Sequence, residues 1–134
     1  MSLRRKSREF ALQMLFQWDL GQQEPAEIEK TFWKSAHGAE STRKFATELF
    51  EGAAAQADAS DKLIEQFAQD WKLERFAAVD RNILRLAIYE LKAGTAPPNA
   101  VVNEALELGK KFSEPESVPF LNGILDAILK SEKK

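Results

Sequence analysis

Cysteine is absent from this 134-residue sequence, and histidine occurs once, at His37. The lack of cysteine excludes disulfides and thiolate chemistry, and a single histidine cannot build a typical zinc or copper site. The sequence also has no apolar run of the roughly 20 residues that a transmembrane helix requires, and no uninterrupted apolar core of a signal peptide. These absences predict no membrane segment, no metal ion and no other cofactor, and they allow a reducing compartment; we expect the protein to be cytoplasmic.

Motifs of catalytic and nucleotide-binding sites are missing as well. The six glycines occur singly, so the sequence contains neither a GxGxxG motif nor a phosphate-binding P-loop. It contains no GxSxG motif, and His37 stands in a loop-like stretch without a positioned serine or aspartate. Pairs of carboxylates arise by chance among 21 acidic residues. The protein is therefore not expected to be an enzyme.

The residues that are present predict a helical protein. Apolar residues make up 44% and charged residues 30% of the chain, as in soluble globular domains. Helical periodicity is interrupted by short stretches rich in glycine, proline, serine and aspartate, at 20–25, 36–41, 57–61, 92–99 and 113–119. We predict an all-α fold, a compact bundle of about seven helices in which residues 1–134 form a single domain. Ser41 and either Asp58 or Ser60 are predicted N-caps, and Gly94 is a predicted helix stop.

Apolar stripes at helical spacing predict which residues form the core. One stripe consists of Leu63, Ile64, Phe67 and Trp71. Two later stripes consist of Val101, Val102, Ala105, Leu108 and Phe112, and of Phe120, Ile124, Ala127 and Ile128.

Positive charge is concentrated near the start of the first predicted helix. Arg4, Arg5, Lys6 and Arg8 give residues 1–10 a net side-chain charge of +3, whereas the remaining residues carry −5. Cations at a helix N-terminus are unfavourable because the helix dipole is positive there, unless an anion lies nearby. A solvated charge run is the simplest alternative. Three arginines suit bidentate phosphate contacts, so RNA is the preferred counter-charge, ahead of a membrane surface.

Two apolar residues of the first predicted helix lie outside its core arc. That arc runs through Phe10, Met14 and Trp18, whereas Leu12 and Phe16 fall together on the other side, one turn apart. A second apolar patch with an aromatic residue favours a protein interface, although packing under a loop is the alternative.

Asp80 shows the converse, because it falls inside the apolar arc of the fifth predicted helix. A buried carboxylate needs a cation or hydrogen-bond donors. Arg75 could supply the cation within the bundle, and a partner protein could supply it at an interface. Arg81 and Arg85 lie one turn apart on the opposite, polar side, where we expect them to be solvated.

Four motifs occur in order along the chain. They are RRKSREFALQMLFQWD (4–19), VDRNILRLAIYEL (79–91), a P-x-x-x-V-x-N-E-A-x-E-L run within 97–112, and FLNGILD (120–126). Together they resemble the NusB family of bacterial transcription antitermination factors, over essentially the whole chain. The resemblance implies a compact all-α protein that acts as a non-enzymatic RNA-binding adaptor.

The resemblance also implies partners and site residues. The implied partners are single-stranded box A RNA of nascent ribosomal RNA transcripts, the small-subunit ribosomal protein called NusE, and the RNA polymerase antitermination complex. The positions that match the family's RNA contacts are Arg4, Arg5, Lys6, Arg8, Glu116, Ser117, Phe120 and Asn122. Phe16 and Asp80 match positions on the ribosomal-protein side, and Leu12 belongs to the same patch as Phe16. We expect charge reversal at Arg5 and Arg8 to weaken RNA binding and to leave the fold intact.

Other interpretations of the sequence stay open. The chain could be a helical protein–protein scaffold without an RNA role, or a relative of the NusB-like domain of ribosomal RNA methyltransferases. A homodimer that buries the Phe16 patch between two copies is compatible with each of these. Core packing is an equally good explanation of Phe120.

Overall fold

The structure is a computed structural model that describes residues 3–68 and 75–132. Within these two ranges the chain forms seven α-helices and no strand, which confirms the predicted all-α bundle. The helices are α1 (Leu3–Gly21), α2 (Pro25–Ser35), α3 (Glu40–Ala55), α4 (Ala57–Ala68), α5 (Ala78–Ala93), α6 (Pro98–Phe112) and α7 (Ser117–Glu132). Trp71, the last residue of one predicted core stripe, lies outside the described residues.

Helix ends lie at four of the five predicted breaks, whereas the break at 57–61 lies inside α4, and the predicted N-caps do not cap helices. Gly94 ends α5 in the left-handed conformation (φ 69°), and its N–H bonds the carbonyl of Glu90, as expected for a glycine stop. Ser41 lies inside α3, which begins at Glu40, and Asp58 and Ser60 lie inside α4. The cap predictions are wrong because Ala39 precedes the first turn of α3, and because the chain turns at Gln56, so that α4 begins at Ala57, before either predicted cap.

Helix α5 occupies the centre of the bundle. It packs against α1, α3, α4, α6 and α7. The contact with α3 is close: a Cβ atom added at Gly52 would lie 2.2 Å from the Tyr89 ring, so a side chain at this position would collide with α5. Because α5 is surrounded, its polar residues are buried as well as its apolar ones.

Arg81 and Arg85 are not solvated, which corrects the prediction for them. The Arg81 side chain donates to Asp19 on α1 at 2.7 Å, and Arg85 donates to both carboxylate oxygens of Asp61 on α4 at 2.7 and 2.8 Å. Arg85 is 6% exposed, and its guanidinium also lies 3.3 Å from Asp19. The two cations therefore join α5 to α1 and α4 through carboxylates that are distant in sequence.

The ion pairs of α5 determine the pKa shifts of Asp19 and Arg85. Partial burial alone would raise the pKa of Asp19, but the hydrogen bond from Arg81 and the charges of Arg85 and Arg81 outweigh it and hold that pKa below its usual value. Burial opposes the charge of Arg85, yet its hydrogen bond with Asp61 raises the pKa of the guanidinium. Asp19 and Arg85 thus stay ionised at neutral pH.

Candidate nucleic-acid and partner interface

The cations at the start of α1 are held by carboxylates from other helices. Arg5 donates to both oxygens of Glu104 on α6, at 3.0 and 2.7 Å. Arg8 donates to both oxygens of Glu90 on α5, at 2.8 to 3.1 Å, and lies 3.8 Å from Glu104. The hydrogen bond and charge of Arg5 lower the pKa of Glu104, while the same pair raises the pKa of Arg5. The chain itself therefore supplies anions for this positively charged helix end.

This arrangement corrects the expectation for Arg8. The residue is 4% exposed, and Glu90, its partner, is 2% exposed and also accepts a hydrogen bond from Thr95. A buried cation in a bidentate pair does not reach a ligand at the surface. Arg8 fastens α1 to α5, so reversing its charge would destabilise the fold and would not test RNA binding.

Arg4 and Lys6 are the most accessible cations of the same turn. The Arg4 guanidinium lies 4.3 Å from the centre of the Phe45 ring, and Lys6 Nζ lies 4.8 Å from the centre of the Phe10 ring. Lys6 is also 3.8 Å from Glu9. Both cations are exposed, and the Arg5 side chain is 38% exposed. We call Arg4, Arg5 and Lys6 the basic tip.

A cleft of about 270 Å³ adjoins the basic tip. It is lined by Arg5, Glu9, Glu104, Glu107, Leu108, Lys110 and Lys111. Lys111 Nζ bonds the buried Glu9 carboxylate at 2.9 Å, which joins the end of α6 to α1. Lys110 and Lys111 were not among the predicted site residues, because only the tertiary packing of α6 against α1 places them beside the basic tip.

Asp80 lies in a second cavity, of about 250 Å³, together with three residues predicted to bind RNA. The cavity is lined by Arg75, Phe76, Ala77, Asp80, Glu116, Ser117 and Phe120. Asp80 accepts hydrogen bonds from the hydroxyls of Ser113 and Ser117. The expected pair with Arg75 does not form among the described residues, because the two serines satisfy the carboxylate. Phe120 packs against Phe76, with ring centres 5.1 Å apart.

The structure separates Asn122 from this cavity. Asn122 is exposed on α7 and does not line the cavity that contains Glu116, Ser117 and Phe120. Arg75 lines the cavity, although it was predicted only as an ion-pair partner of Asp80 within the bundle. A cation, two carboxylates, a hydroxyl and an aromatic ring offer both hydrogen bonds and a stacking surface to an unstacked base.

Phe16 borders an apolar groove next to this cavity. The groove has a volume of about 470 Å³ and is lined by Leu12, Gln13, Phe16, Gln17, Val79 and Phe112. Phe16 is 39% exposed, whereas Leu12 is 2% exposed and belongs to the core. Leu12 therefore supports the floor of the groove and is not the exposed half of a patch, which corrects that prediction. Val79 lines the groove and Asp80 lines the cavity, so the groove and the cavity lie on either side of the first turn of α5.

No group of three or more histidine, aspartate or glutamate side chains in residues 3–68 and 75–132 could hold a metal ion. Among the helices that the structure describes, none is both long and apolar enough to cross a membrane.

Comparison with known proteins identifies the family. The model of the NusB family matches residues 5–130. The chain belongs to the NusB family. It is 51% identical to the transcription antitermination protein NusB of Koribacter versatilis, over 98% of this chain and 93% of the relative. It is 43% identical to the NusB protein of Myxococcus xanthus, over 96% of this chain and 95% of that protein.

Solved structures agree with this membership. A chain in the crystal structure of the antitermination factors NusB and NusE in complex with double-stranded RNA has a TM-score of 0.88 and 28% identity, and 98% of each chain is covered. The structure of NusB from T. maritima has a TM-score of 0.84 and 32% identity, covering 95% of this chain and 90% of that one. The protein is thus a NusB-type transcription antitermination factor.

Proposed function

We propose that this protein binds box A RNA of nascent ribosomal RNA transcripts together with the ribosomal protein NusE, and so helps RNA polymerase resist termination. In this role it acts in the cytoplasm as a non-enzymatic adaptor. The observation that carries the RNA part is the basic tip: Arg4 and Lys6 are exposed, and Arg5 is partly exposed, on a chain with a net charge of −2. A cluster of accessible cations on an acidic protein concentrates phosphate binding at one place.

The cavity beside Asp80 complements the basic tip in this proposal. Phosphate contacts position a nucleic acid but carry no sequence information, whereas base edges and ring faces do. Phe120 and the polar groups of Glu116 and Ser117 offer such contacts, and Arg75 brings a cation to the same cavity. We therefore assign base recognition to this cavity and phosphate binding to the basic tip.

The Phe16 groove is the proposed binding surface for NusE. An aromatic side chain beside an apolar groove is typical of the anchors that dominate protein interfaces. The resemblance to the family implies that Phe16 and Asp80 lie on that side. Val79 of the groove and Asp80 of the cavity are neighbours in the chain, so the two surfaces adjoin. A partner seated in the groove would therefore border the proposed base-recognition cavity, so both proteins could contact one RNA.

A binding titration tests the proposal. Fluorescence anisotropy of a box A-like single-stranded RNA is measured at two salt concentrations, with and without NusE, and again with a double-stranded RNA of the same sequence. We expect salt-sensitive binding of the single strand that NusE strengthens, because cations contact phosphates and the partner adds contacts. Absence of binding in every mixture would refute the RNA role and favour a helical scaffold.

The partner surface is tested with Phe16→Asp. A carboxylate in the groove should weaken NusE pairing by at least 10-fold, or about 1.4 kcal/mol, because it removes an aromatic anchor and buries a charge. The matched control is Gln66→Asp, which places the same carboxylate at an exposed position of α4. If both variants pair with NusE equally well, the groove assignment is refuted. If the wild type forms a dimer and Phe16→Asp does not, the groove serves self-association.

A further inference from the structure

A second group of cations surrounds Trp33, on the face formed by α2 and α3. A hollow of about 490 Å³ on this face is lined by Ala26, Glu29, Lys30, Trp33, Lys34 and Arg43. We call it the Trp33 hollow. Its three cations are exposed, and none of them pairs with a carboxylate of the described residues. A fourth exposed cation, Lys44, lies on the neighbouring side of Trp33 with Glu40 and Glu48.

Arg43 differs from most arginines of this chain in its surroundings. Four arginines pair with carboxylates, namely Arg5, Arg8, Arg81 and Arg85. The Arg43 guanidinium instead lies 5.1 Å from the centre of the Trp33 ring, just as Arg4 lies over Phe45. A guanidinium held against an aromatic face keeps its N–H donors for a ligand, and its planar fork fits a phosphate.

The Trp33 hollow is joined to the basic tip by a chain of aromatic rings. Lys6 lies 4.8 Å from the centre of the Phe10 ring, that ring lies 5.2 Å from the Trp33 ring, and Arg43 covers Trp33. Each step is thus about 5 Å. Lys6 and Arg43 therefore lie no more than three such steps apart, with the buried Phe10 ring between them.

Glu29 is the one acidic residue that lines the hollow. Burial, and then the hydrogen bond and charge of neighbouring Glu51, raise the pKa of Glu29 to about 7. Near neutral pH this carboxyl is therefore only partly ionised, and it opposes the charge of Lys30, Lys34 and Arg43 less than an ordinary glutamate would.

We propose that the Trp33 hollow binds the sugar–phosphate backbone of the same RNA strand that contacts the basic tip, and so lengthens the RNA-binding surface across α2 and α3. Lys30, Lys34 and Arg43 would contact phosphates, and Trp33 would hold the Arg43 guanidinium in place. The inference rests on the proposed RNA-binding function and adds to it a phosphate site outside the predicted residues.

The test compares two RNA lengths and two pairs of substitutions. Single-stranded RNAs of about 6 and about 16 nucleotides, which bracket a short and an extended binding site, are titrated by anisotropy. For Lys34→Gln/Arg43→Gln we expect about 10-fold weaker binding of the long RNA. The slope of log affinity against log salt concentration should be lower by about 1.4, because two phosphate contacts are lost. Binding of a short RNA that contacts the basic tip should be unchanged. The matched control, Lys62→Gln/Lys92→Gln, removes two exposed unpaired cations elsewhere and should change neither affinity.

Trp33 provides a second measurement. Because Arg43 lies against the Trp33 ring, the fluorescence of Trp33 should change when the long RNA binds Arg43. Trp33→Phe keeps an aromatic side chain and should abolish that change. If the Lys34→Gln/Arg43→Gln variant and the wild type bind both RNAs with equal affinity, the inference is overturned. Weaker RNA binding by Arg4→Gln/Lys6→Gln in the same experiment would still support the proposed function. Weakened NusE pairing with unchanged RNA affinity would also overturn it. If the wild type binds neither RNA, the proposed function and the inference both fail.

Discussion

Arg81 and Arg85 on α5 and the cations at the start of α1 look alike in the sequence, yet they meet different surroundings. Both α5 arginines are enclosed by Asp19 and Asp61. On α1 the environment changes within one turn, from exposed Arg4 to Arg8, which is 4% exposed. Carboxylates from distant helices, and not the local density of cations, therefore decide which charges remain available to a ligand.

The largest expected effect separates Arg8 from its neighbours. Arg8→Gln should lower the free energy of unfolding by about 3–5 kcal/mol, because the buried Glu90 carboxylate would lose its cation. Urea denaturation measures the change. Arg4→Gln is the matched control and should shift stability by less than about 0.5 kcal/mol, since Arg4 is exposed. Similar losses in both variants would remove the distinction between a structural and an accessible arginine.

The next effect concerns the ion pairs of α5. The pKa of Asp19 is lowered in the folded state, so its stabilising contribution is present above the unfolded-state pKa and disappears as the pH falls through the folded-state value. Asp19→Asn should therefore cost about 1–2 kcal/mol at pH 7 and nothing near pH 2. Denaturation curves at both pH values test this. A cost that persists unchanged in acid would show that the charge of Asp19 is not the cause.

A somewhat smaller effect should appear only in RNA binding. Arg4→Gln/Lys6→Gln is expected to weaken single-stranded RNA binding about 10-fold, or about 1.4 kcal/mol, and to lower the salt slope by about 1.4, without a change in stability. Anisotropy titrations over a range of salt concentrations measure both quantities. Arg81→Gln serves as the control from the other region, because it should reduce stability and leave the salt slope unchanged. A reversed pattern would contradict the assignment of the basic tip.

The smallest expected effect concerns Glu29, whose carboxyl group lies beside the carboxyl group of Glu51. The pKa of Glu29 rises from 4.5 to about 7, so folding favours its protonated form, and that contribution is lost as the pH increases between these values. Stability should fall by less than about 1 kcal/mol across this interval, since the group is partly exposed to solvent. Thermal denaturation of Glu29→Gln should lack this decline, whereas exposed Glu48→Gln should retain it.

The predictability of each feature follows from the range of the interactions that determine it. The helical fold and the stop at Gly94 depend on local periodicity and local backbone conformation, and both were predicted. The exposure of Phe16 was also anticipated from its angle around α1. The boundary between α3 and α4 was placed too late, because the chain turns at Gln56 and the alanines on both sides of it carry no cap or turn signal.

The partners of the polar residues could not be predicted in this way. Arg8 meets Glu90 across 82 positions of sequence, and Asp80 meets Ser113 and Ser117 across 33 and 37. Helical spacing gives the side of a helix on which a residue lies but not the residue that faces it. The same limit explains why Leu12 was predicted to share an interface patch with Phe16 and why Arg85 was predicted to be solvated.

If the basic tip binds RNA as proposed, the pair of Arg5 and Glu104 would make it selective among anions. Any phosphate that approaches Arg5 meets a guanidinium whose fork already holds both oxygens of a carboxylate. Because Glu104 already balances part of the charge of Arg5, a phosphate would gain less at this residue than at Arg4 or Lys6, which would disfavour loose association with heparin-like or other indiscriminate polyanions. Glu104 is in this sense an internal competitor, and it reserves Arg5 for a ligand that is anchored at other points as well.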